Sequence, residues 1–270
     1  MAANILKEII EYKRQIIERD KRTVPLEQLK EQIKDLPHCR NFHKAVTKPS
    51  LRGINVIAEI KKASPSAGVI RPDFDPVEIA KIYQRCGADA ISVLTDEKYF
   101  DGKLEYLAQV KNAVSLPVLR KDFIIDEYQI YQARAAGADA ILLIAEAFEP
   151  TDGRFLDLLI RANELSLTVL LEVHCVDSLL RARSMIGFPK AHYSVIGINN
   201  RDLETMKVDL NTTIRLAELA DVRNGLVSES GFKTKADVEK IKSCGATAVL
   251  IGETLCKSPD IAAKFSELFD

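Results

Sequence analysis

The sequence predicts an α/β fold, a (β/α)8 TIM barrel that follows an N-terminal helical extension. After residue 50, short apolar runs alternate eight times with amphipathic segments. The runs are almost continuously apolar, which is typical of parallel strands covered by helices. Three helical segments end in similar sequences, at residues 86–90, 136–140 and 244–248, so one supersecondary unit is repeated. Eight such even units favour a closed barrel over a doubly wound sheet.

Residues 1–50 form the predicted extension, and residues 51–270 form the barrel within a single domain overall. Leu6, Ile9, Ile10, Ile16 and Ile17 follow helical spacing, with Lys13 in the same series. Pro25 then begins a second helical stretch that runs to about residue 34. Two helices with apolar stripes need a surface to cover, so we expect them to pack on one end or one side of the barrel.

The barrel elements follow in order. The predicted strands are residues 56–60, 90–94, 117–120, 140–144, 168–173, 194–198, 225–228 and 248–251. The predicted helices are residues 76–86, 103–114, 127–136, 153–165, 177–186, 211–220, 234–244 and 261–268. In the repeated segment, Gly87, Gly137 and Gly245 suit the left-handed residue that ends many helices.

Composition excludes several classes of protein. The chain has 38 Lys and Arg against 39 Asp and Glu, which leaves no basic surface for nucleic acid or an anionic membrane. No apolar run approaches the ~20 residues of a membrane span, and residues 1–8 lack the apolar core of a signal peptide. Five cysteines without a C-x-x-C pair predict reduced thiols, and His38, Cys39 and His43 lack a second ligand pair for a metal site. We therefore expect a cytoplasmic protein without a metal, a nucleic-acid partner or a membrane partner.

Charged residues interrupt the apolar strands close to their carboxyl ends, where barrel enzymes have their active sites. Glu59 and Lys61 share one face of the strand, so both point into the barrel mouth or both into the helix layer. We expect the mouth, because burying two charges under the helices would cost more free energy. Lys121, Glu172 and the pair Asn199 and Arg201 stand at three further strand ends. His174 is expected to face away from the mouth and to have a structural role.

Small residues follow the last two strands, at residues 228–231 and 251–253. Backbone N–H groups in such turns can hold a phosphate, and this fold often binds one after its seventh and eighth strands. Glu229 stands in the first of these turns. The mouth thus combines acids, bases and a phosphate site, which favours acid–base chemistry on an anionic sugar phosphate, although these residues alone do not identify the reaction.

These same segments resemble the indole-3-glycerol phosphate synthase family. The motifs that carry the resemblance occur in order at strand ends: residues 58–66, 92–97 with 99–102, 119–124, 171–174, 197–203, 228–231 and 251–253. The resemblance extends from about Ile5 to the C-terminus. It implies a reaction that closes the indole ring of 1-(2-carboxyphenylamino)-1-deoxyribulose 5-phosphate and releases carbon dioxide and water. It implies no metal and no organic cofactor.

The resemblance also implies roles for individual residues. Lys121 is similar to the family's general acid and Glu172 to its general base, while Lys61 binds anionic groups of the substrate and assists the acid. The other implied site residues hold the sugar hydroxyls (Glu59, Asn199, Glu229), line the anthranilate end and its apolar walls (Ser64, Phe100, Phe123, Arg201) or bind the phosphate (Ser230, Gly231, Gly252, Glu253). Among these, the side chain of Glu253 stands where the family varies, and its backbone N–H would serve as the phosphate ligand.

Other functions remain alternatives at this point. Phosphoribosylanthranilate isomerase and a tryptophan synthase α-like lyase bind similar phosphates on the same scaffold, but neither accounts for the Glu59, Lys61, Lys121 and Glu172 motifs together. A non-catalytic barrel that acts as a scaffold or ligand sensor would be expected to have lost an acid or a base. We expect a chain with one activity, because it ends just after the eighth helix, and either a monomer or a weak dimer.

Overall fold

Eight parallel strands close into a barrel in the computed structural model, which describes residues 5–203, 205–220 and 225–270. Residues 1–4 of the predicted extension lie outside the described residues. The barrel strands are β1 (Asn55–Ile60), β4 (Ala90–Leu94), β5 (Val118–Lys121), β6 (Ala140–Ile144), β7 (Thr168–Val173), β8 (Ser194–Asn199), β9 (Leu226–Glu229) and β10 (Ala248–Ile251). Each pairs with its neighbours in the chain, and β1 closes the barrel by pairing with both β4 and β10. The prediction of a TIM barrel is confirmed.

Helices cover the outside of the barrel. The predicted helices are found as α4 (Pro76–Arg85), α6 (Leu104–Ala113), α7 (Glu127–Ala135), α8 (Arg154–Glu164), α9 (Val176–Arg183), α10 (Asn211–Ala217), α11 (Lys235–Lys242) and α13 (Ile261–Phe269). In the described part of the chain, no helix is both long and apolar enough to cross a membrane. Two helices end three residues earlier than predicted, α9 at Arg183 and α10 at Ala217.

Short elements were missed because they are too brief to show a period. They are the hairpin of β2 (Ala63–Ser64) and β3 (Gly68–Val69), the helices α5 (Glu97–Phe100) and α12 (Glu253–Lys257), and a 3-10 turn at Ala145–Ala147. The hairpin, α5, α12 and the 3-10 turn all follow the carboxyl ends of barrel strands, so they surround the mouth.

The repeated segment stabilises the start of three strands. Its glycine has a positive φ at all three positions, as predicted. The polar residue two positions later then accepts a hydrogen bond from an amide near the start of a neighbouring strand: Asp89 from Val56 at 3.0 Å and Asp139 from Val118 at 2.9 Å. Thr247 accepts from the amide of Leu226 at 3.1 Å. The repeat therefore fixes both the end of a helix and the position of the strand beside it.

The N-terminal extension covers two regions of the barrel. α3 (Phe42–Thr47) closes its amino end, where Phe42 and Val46 pack among the inward-facing apolar residues of the strands. α1 (Ile5–Thr23) and α2 (Leu26–Ile33) lie along the side, where Ile17 and Leu29 pack against Tyr128 and Tyr131 of α7.

α1 also carries a buried lysine into the barrel wall. The Nζ atom of Lys13 lies 2.8 Å from Oδ2 of Asp96 and 2.7 Å from Oδ1 of Asp122. Asp122 also accepts hydrogen bonds from Thr95 at 2.7 Å and from Arg120 at 3.0 Å. Burial alone would raise the pKa of Asp122, but the charges of Lys13 and Arg120 hold it far below its usual range. Burial likewise lowers the pKa of Lys13, and the two aspartates more than offset this, so that it is raised.

Replacement of Lys13 by Met should destabilise the protein strongly, because two carboxylates would remain buried without their cation. Loss of one member of a buried ion pair costs about 3–5 kcal/mol of unfolding free energy. For a chain of this size, this corresponds to a fall in Tm of roughly 6–20 °C. Arg14→Met, one residue along the helix, is the matched control, because Arg14 and its partner Glu11 are 58% and 63% exposed. Its effect should stay within about 0.5 kcal/mol.

The loss of unfolding free energy in Lys13→Met should also depend on pH. The pKa of Asp122 is depressed in the folded wild type, so this residue stabilises the fold above its unfolded pKa of about 3.9 and loses that contribution as the pH falls. The variant lacks most of this contribution, so the difference in unfolding free energy between wild type and variant should become smaller below about pH 5. Denaturant unfolding of both proteins at pH 4 and at pH 7 measures the difference in unfolding free energy at each pH. A Lys13→Met protein as stable as wild type at pH 7 would show that this ion pair does not hold α1.

Candidate active site

A cavity of about 640 Å³ lies at the carboxyl ends of the barrel strands. Every site residue predicted from the sequence lines it: Glu59, Lys61, Ser64, Phe100, Lys121, Phe123, Glu172, Asn199, Arg201, Glu229, Ser230, Gly231, Gly252 and Glu253. α1 contributes Ile5, Leu6 and Ile9 to its wall, so the extension forms part of the cavity. No sequence signal linked α1 to this cavity, because the apolar spacing of a helix does not say which surface it covers.

The alternation of side chains along each strand brings the charged residues together. Ile57, Leu119 and Leu170 lie in the apolar interior of the barrel, and the residues two positions further along the same strands are Glu59, Lys121 and Glu172. Asn199 and Glu229 follow Gly197 and Val227 in the same way. The outcome is a polar layer at the mouth on top of apolar layers below it.

Lys121 is at the centre of this polar layer. Its Nζ atom lies 2.7 Å from Oε2 of Glu172 and 3.4 Å from Oε2 of Glu229. Burial would lower the pKa of Lys121, but the charges of Glu172, Glu229 and Glu59 outweigh it and raise the pKa well above its usual value. The ammonium form is therefore strongly favoured in the absence of substrate.

The two carboxyl groups beside Lys121 have opposite pKa shifts. Burial would raise the pKa of Glu172, but the charges of Lys121 and His174, with a 3.2 Å hydrogen bond from Nδ2 of Asn199, lower it to about 2. Burial and the charge of Glu172 raise the pKa of Glu229 well above its ordinary value, against the attraction of Lys121. One cation thus stabilises one carboxylate fully, and the second carboxyl group is pushed toward its neutral form.

Glu59 and Lys61 form a second ion pair at the opposite wall. Glu59 is 2% exposed and contacts Lys61 directly. Gly252 makes room for this carboxylate, because a Cβ atom there would overlap Oε1 of Glu59 and lie 2.9 Å from its Cβ atom. A glycine at the end of β10 therefore serves the ion pair on β1.

Two aromatic rings form the apolar part of the wall. The ring centroids of Phe100 and Phe123 are 6.2 Å apart, with their planes tilted by 34°. Phe100 is held by the short helix α5, whose first turn is fixed when Asp96 accepts a 2.7 Å hydrogen bond from the amide of Tyr99. The other oxygen of Asp96 pairs with Lys13, so the buried ion pair of α1 also orients this wall.

The turns after β9 and β10 expose backbone donors to the cavity. Ser230 and Gly231 have φ values of 68° and 96°, in the left-handed region. Within the described residues, the amides of Gly231 and Gly252 donate no hydrogen bond. Lys233, which no motif in the sequence indicated, also lines the cavity close after this turn. Free N–H groups with a nearby lysine suit a phosphate group.

Arg201 and Glu253, which were assigned to different ends of the substrate, are neighbours here. The Nη2 atom of Arg201 lies 3.4 Å from Oε2 of Glu253, and its Nη1 atom lies 3.4 Å from the hydroxyl of Ser66. The guanidinium therefore bridges the end of β8, the end of β10 and the loop that carries Ser64. It lies beside the turn after β10 as well as beside the loop after β1.

Asn200, directly after β8, is a buried structural residue. It is 2% exposed, and its Nδ2 atom donates to the carbonyl groups of Glu229 and Ser230 at 3.0 and 3.1 Å. Its Oδ1 atom accepts from the amide and the hydroxyl of Thr213. Asn200 thus fixes the turn that holds Glu229 and Ser230. A single asparagine gives no sequence signal for such a role, because asparagine is equally common in exposed turns.

The arrangement combines a buried cation, a low-pKa carboxylate, a high-pKa carboxyl group, an apolar wall and free backbone donors. It can protonate an oxygen, accept a proton and bind an anion in one cavity. The described residues include no group of three or more His, Cys, Asp or Glu side chains placed to hold a metal ion.

Comparisons with known proteins agree with this chemistry. Residues 6–268 match the family model described as indole-3-glycerol phosphate synthase. The chain is 47% identical over 259 residues to the indole-3-glycerol phosphate synthase of Rhodopirellula baltica, with 95% of both chains covered. It is 46% identical over 267 residues to that of Neisseria meningitidis, with 98% of this chain and 99% of the relative covered.

Solved structures of other enzymes share the fold. A 3-hexulose-6-phosphate synthase matches with a TM-score of 0.60 at 20% identity, covering 80% of this chain and 98% of its own. A thiamine phosphate pyrophosphorylase from Pyrococcus furiosus matches with a TM-score of 0.56 at 15% identity, covering 81% and 96%. At these identities the likeness concerns the barrel alone. The family model and the relatives, which extend over nearly the whole chain, show that this protein belongs to the indole-3-glycerol phosphate synthase family.

Proposed function

We propose that the cavity at the barrel mouth closes the indole ring of 1-(2-carboxyphenylamino)-1-deoxyribulose 5-phosphate, with Lys121 as the general acid and Glu172 as the general base. The chain is a carboxy-lyase of tryptophan biosynthesis by its family. The observation that carries the assignment of residues is the 2.7 Å contact between the Nζ atom of Lys121 and Glu172 in the centre of the cavity. The cavity is lined by one chain, so a monomer is sufficient for this proposal.

Lys121 donates a proton to the sugar carbonyl oxygen as the aromatic ring carbon attacks the carbonyl carbon. A buried ammonium group also stabilises the negative charge that develops on this oxygen. After carbon dioxide has left, Lys121 takes up a proton from water and then protonates the departing hydroxyl group, and this uptake is the one proton that the loss of a carboxylate as carbon dioxide consumes. Glu172 accepts the proton that is lost from carbon in this dehydration, and its pKa of about 2 keeps it ionised until Lys121 has turned to the substrate.

The remaining site residues bind and orient the substrate in this proposal. Glu59, Asn199 and Glu229 hold the sugar hydroxyls, and Lys61 binds substrate anionic groups and assists the acid. Ser64, Phe100, Phe123 and Arg201 enclose the anthranilate ring. The phosphate binds at the turns formed by Ser230, Gly231, Gly252 and Glu253, mainly through backbone N–H groups.

Lys121→Met and Glu172→Gln should each lower kcat by roughly 10²–10⁴-fold, the usual contribution of a positioned acid or base. KM should change less, because these groups act in the transition state. The two losses should be far from additive in the double variant, since the two residues form one ion pair. The measurement follows the absorbance of the newly closed indole ring, with 1-(2-carboxyphenylamino)-1-deoxyribulose 5-phosphate as the substrate. Circular dichroism monitors folding. A folded single variant with near-normal kcat would remove that residue from the mechanism and leave Lys61 as the next candidate acid.

Gly231→Ala should raise KM by about 10–100-fold, the equivalent of one charge-assisted hydrogen bond of roughly 1.5–3 kcal/mol. A Cβ atom at φ +96° is strained and would lie 2.6 Å from Val208, so the N–H group must shift. Ser230→Ala keeps its backbone donor and should have a much smaller effect. The Ki of inorganic phosphate as a competitor should rise in parallel with KM.

Gly187→Ala is the matched control for backbone strain. Gly187 has φ +84° and open space around it, and it lies outside the cavity, so this variant should bear a similar strain without a change in KM. If Gly231→Ala binds substrate and inorganic phosphate as well as Gly187→Ala does, the phosphate binds elsewhere in the mouth.

A further inference from the structure

Behind Glu172, on the side away from the main cavity, lies a histidine that is itself held by a second carboxylate. The Nδ1 atom of His174 lies 3.1 Å from Oε2 of Glu146, and the backbone amide of His174 donates to Oε1 of the same residue at 2.8 Å. Glu146 belongs to the 3-10 turn after β6. A single carboxylate therefore holds His174 twice, one oxygen at its ring and the other at its backbone amide.

The other ring nitrogen faces the proposed base. The Nε2 atom of His174 lies 3.5 Å from Oε1 of Glu172, whereas Lys121 contacts Oε2. This Nε2 atom is buried and has no hydrogen-bond partner within the part of the chain that the structure describes. The side chain of His174 is only 11% exposed. His174 thus lies outside the main cavity, and its ring still reaches Glu172 from behind.

Electrostatics favours a cation at this position. Burial would lower the pKa of His174, and the charge of Lys121 acts in the same direction. The hydrogen bond to Glu146, with the charges of Glu172 and Glu146, outweighs both and raises the pKa. Other charged groups line the cavity of about 700 Å³ on which His174 borders: Lys7, Glu11, Arg14, Glu149, Arg154, Arg201, Asp202 and Arg215.

The proposed reaction creates a need for such a cation. In the resting site, Lys121 neutralises Glu172. When Lys121 gives its proton to the substrate, its charge is lost, and Glu172 would remain as a buried carboxylate next to Glu229. A buried carboxylate whose charge is not offset tends to take up a proton, and the pKa of Glu229 is raised even though Lys121 lies 3.4 Å away. A base that is already protonated cannot accept the proton of the dehydration.

We propose that His174 is a positioning residue that keeps Glu172 ionised and oriented while Lys121 is deprotonated, and that Glu146 holds His174 in place for this. No bond forms or breaks at His174, and its proton stays on the ring. This inference rests on the proposed function, because it requires Glu172 to be the base.

The pH profile of kcat distinguishes this role from a purely structural one. In His174→Gln the cation is lost while a side chain of similar length is kept, so Glu172 should protonate more readily in the enzyme–substrate complex. The acidic limb of kcat should then move to higher pH by about one unit or more, a change in charge stabilisation of at least ~1.4 kcal/mol. KM should change little, since His174 does not line the main cavity.

Two further variants test the chain of contacts. Glu146→Gln should move the acidic limb in the same direction by less, because His174 loses part of what keeps it charged. The double variant should behave like His174→Gln alone, because Glu146 acts through His174. Ser178→Ala is the matched control: its hydroxyl bonds the backbone amides of His174 and Cys175, but the change leaves the charge as it is. Its acidic limb should stay at the wild-type position.

Histidine NMR provides a readout that does not depend on activity. The chain has four histidines, so the resonance missing from His174→Gln identifies residue 174. In the wild type, the pKa of His174 should lie above the ordinary histidine value of about 6.5. In Glu146→Gln and Glu172→Gln, this pKa should be lower than in the wild type. A wild-type midpoint below 6.5 would overturn the inference. If His174→Gln fails to fold, the acidic limb of kcat in Glu146→Gln is the test instead: a shift to higher pH supports the inference, and an unchanged limb overturns it.

The possible failures are distinct. If Glu172→Gln keeps its kcat, the proposed base is wrong and the role of His174 is lost with it. If Glu172→Gln loses kcat while His174→Gln keeps the wild-type acidic limb, only the present inference is overturned. If Ser178→Ala shifts the limb as much as His174→Gln does, the effect comes from the geometry of the turn, and the inference is again wrong.

Discussion

A closed barrel forces every second side chain of each strand toward a common axis, and the charges at the mouth exist because of this constraint. Below the mouth the axis is filled by residues such as Ile57 and Leu170, which exclude water. One step higher, the same geometry brings Glu172, Glu229 and Lys121 into contact. Carboxylates at this depth are costly unless a cation neutralises them, so the position of Lys121 determines which of them is ionised.

The strand end that carries this cation is also held by the first helix of the chain. Lys121 is followed directly by Asp122, which faces away from the axis and binds Lys13 and Arg120. The end of β5 is thus held by the mouth cluster on one side and by a second buried ion cluster on the other. Asp96 belongs to that second cluster and also begins the helix that carries Phe100. Removal of α1 would therefore disturb Lys121 and the apolar wall together.

The barrel and the mouth could be predicted because both depend on short periods in the sequence. Eight apolar runs predicted the strands to within a residue or two. Alternation along a strand placed Glu59 and Lys61 on one face, and the cost of burying charge directed that face into the mouth. The supporting contacts could not be predicted, because they join residues distant in the chain. Lys13 looked like one polar residue in an apolar helical stripe, and its partners lie about a hundred residues away. The placement of His174 depended on how the chain turns after a strand ends, which no period encodes.

In the proposed function, the substrate phosphate binds to backbone N–H groups in the turns after β9 and β10, whereas the rest of the mouth uses charged side chains. The balance of charge in the cavity explains this difference. A phosphate ester adds up to two negative charges to a site that already holds Glu59, Glu172 and Glu229. If the anion were placed on Lys121, it would compete with Glu172 for the cation on which the acid–base chemistry depends. Backbone N–H groups at Gly231 and Gly252 bind an anion without drawing on that cation, and they lie at the ends of other strands. In the proposed function, separate donors for the phosphate would therefore leave the ion pair at the centre of the cavity free for proton transfer.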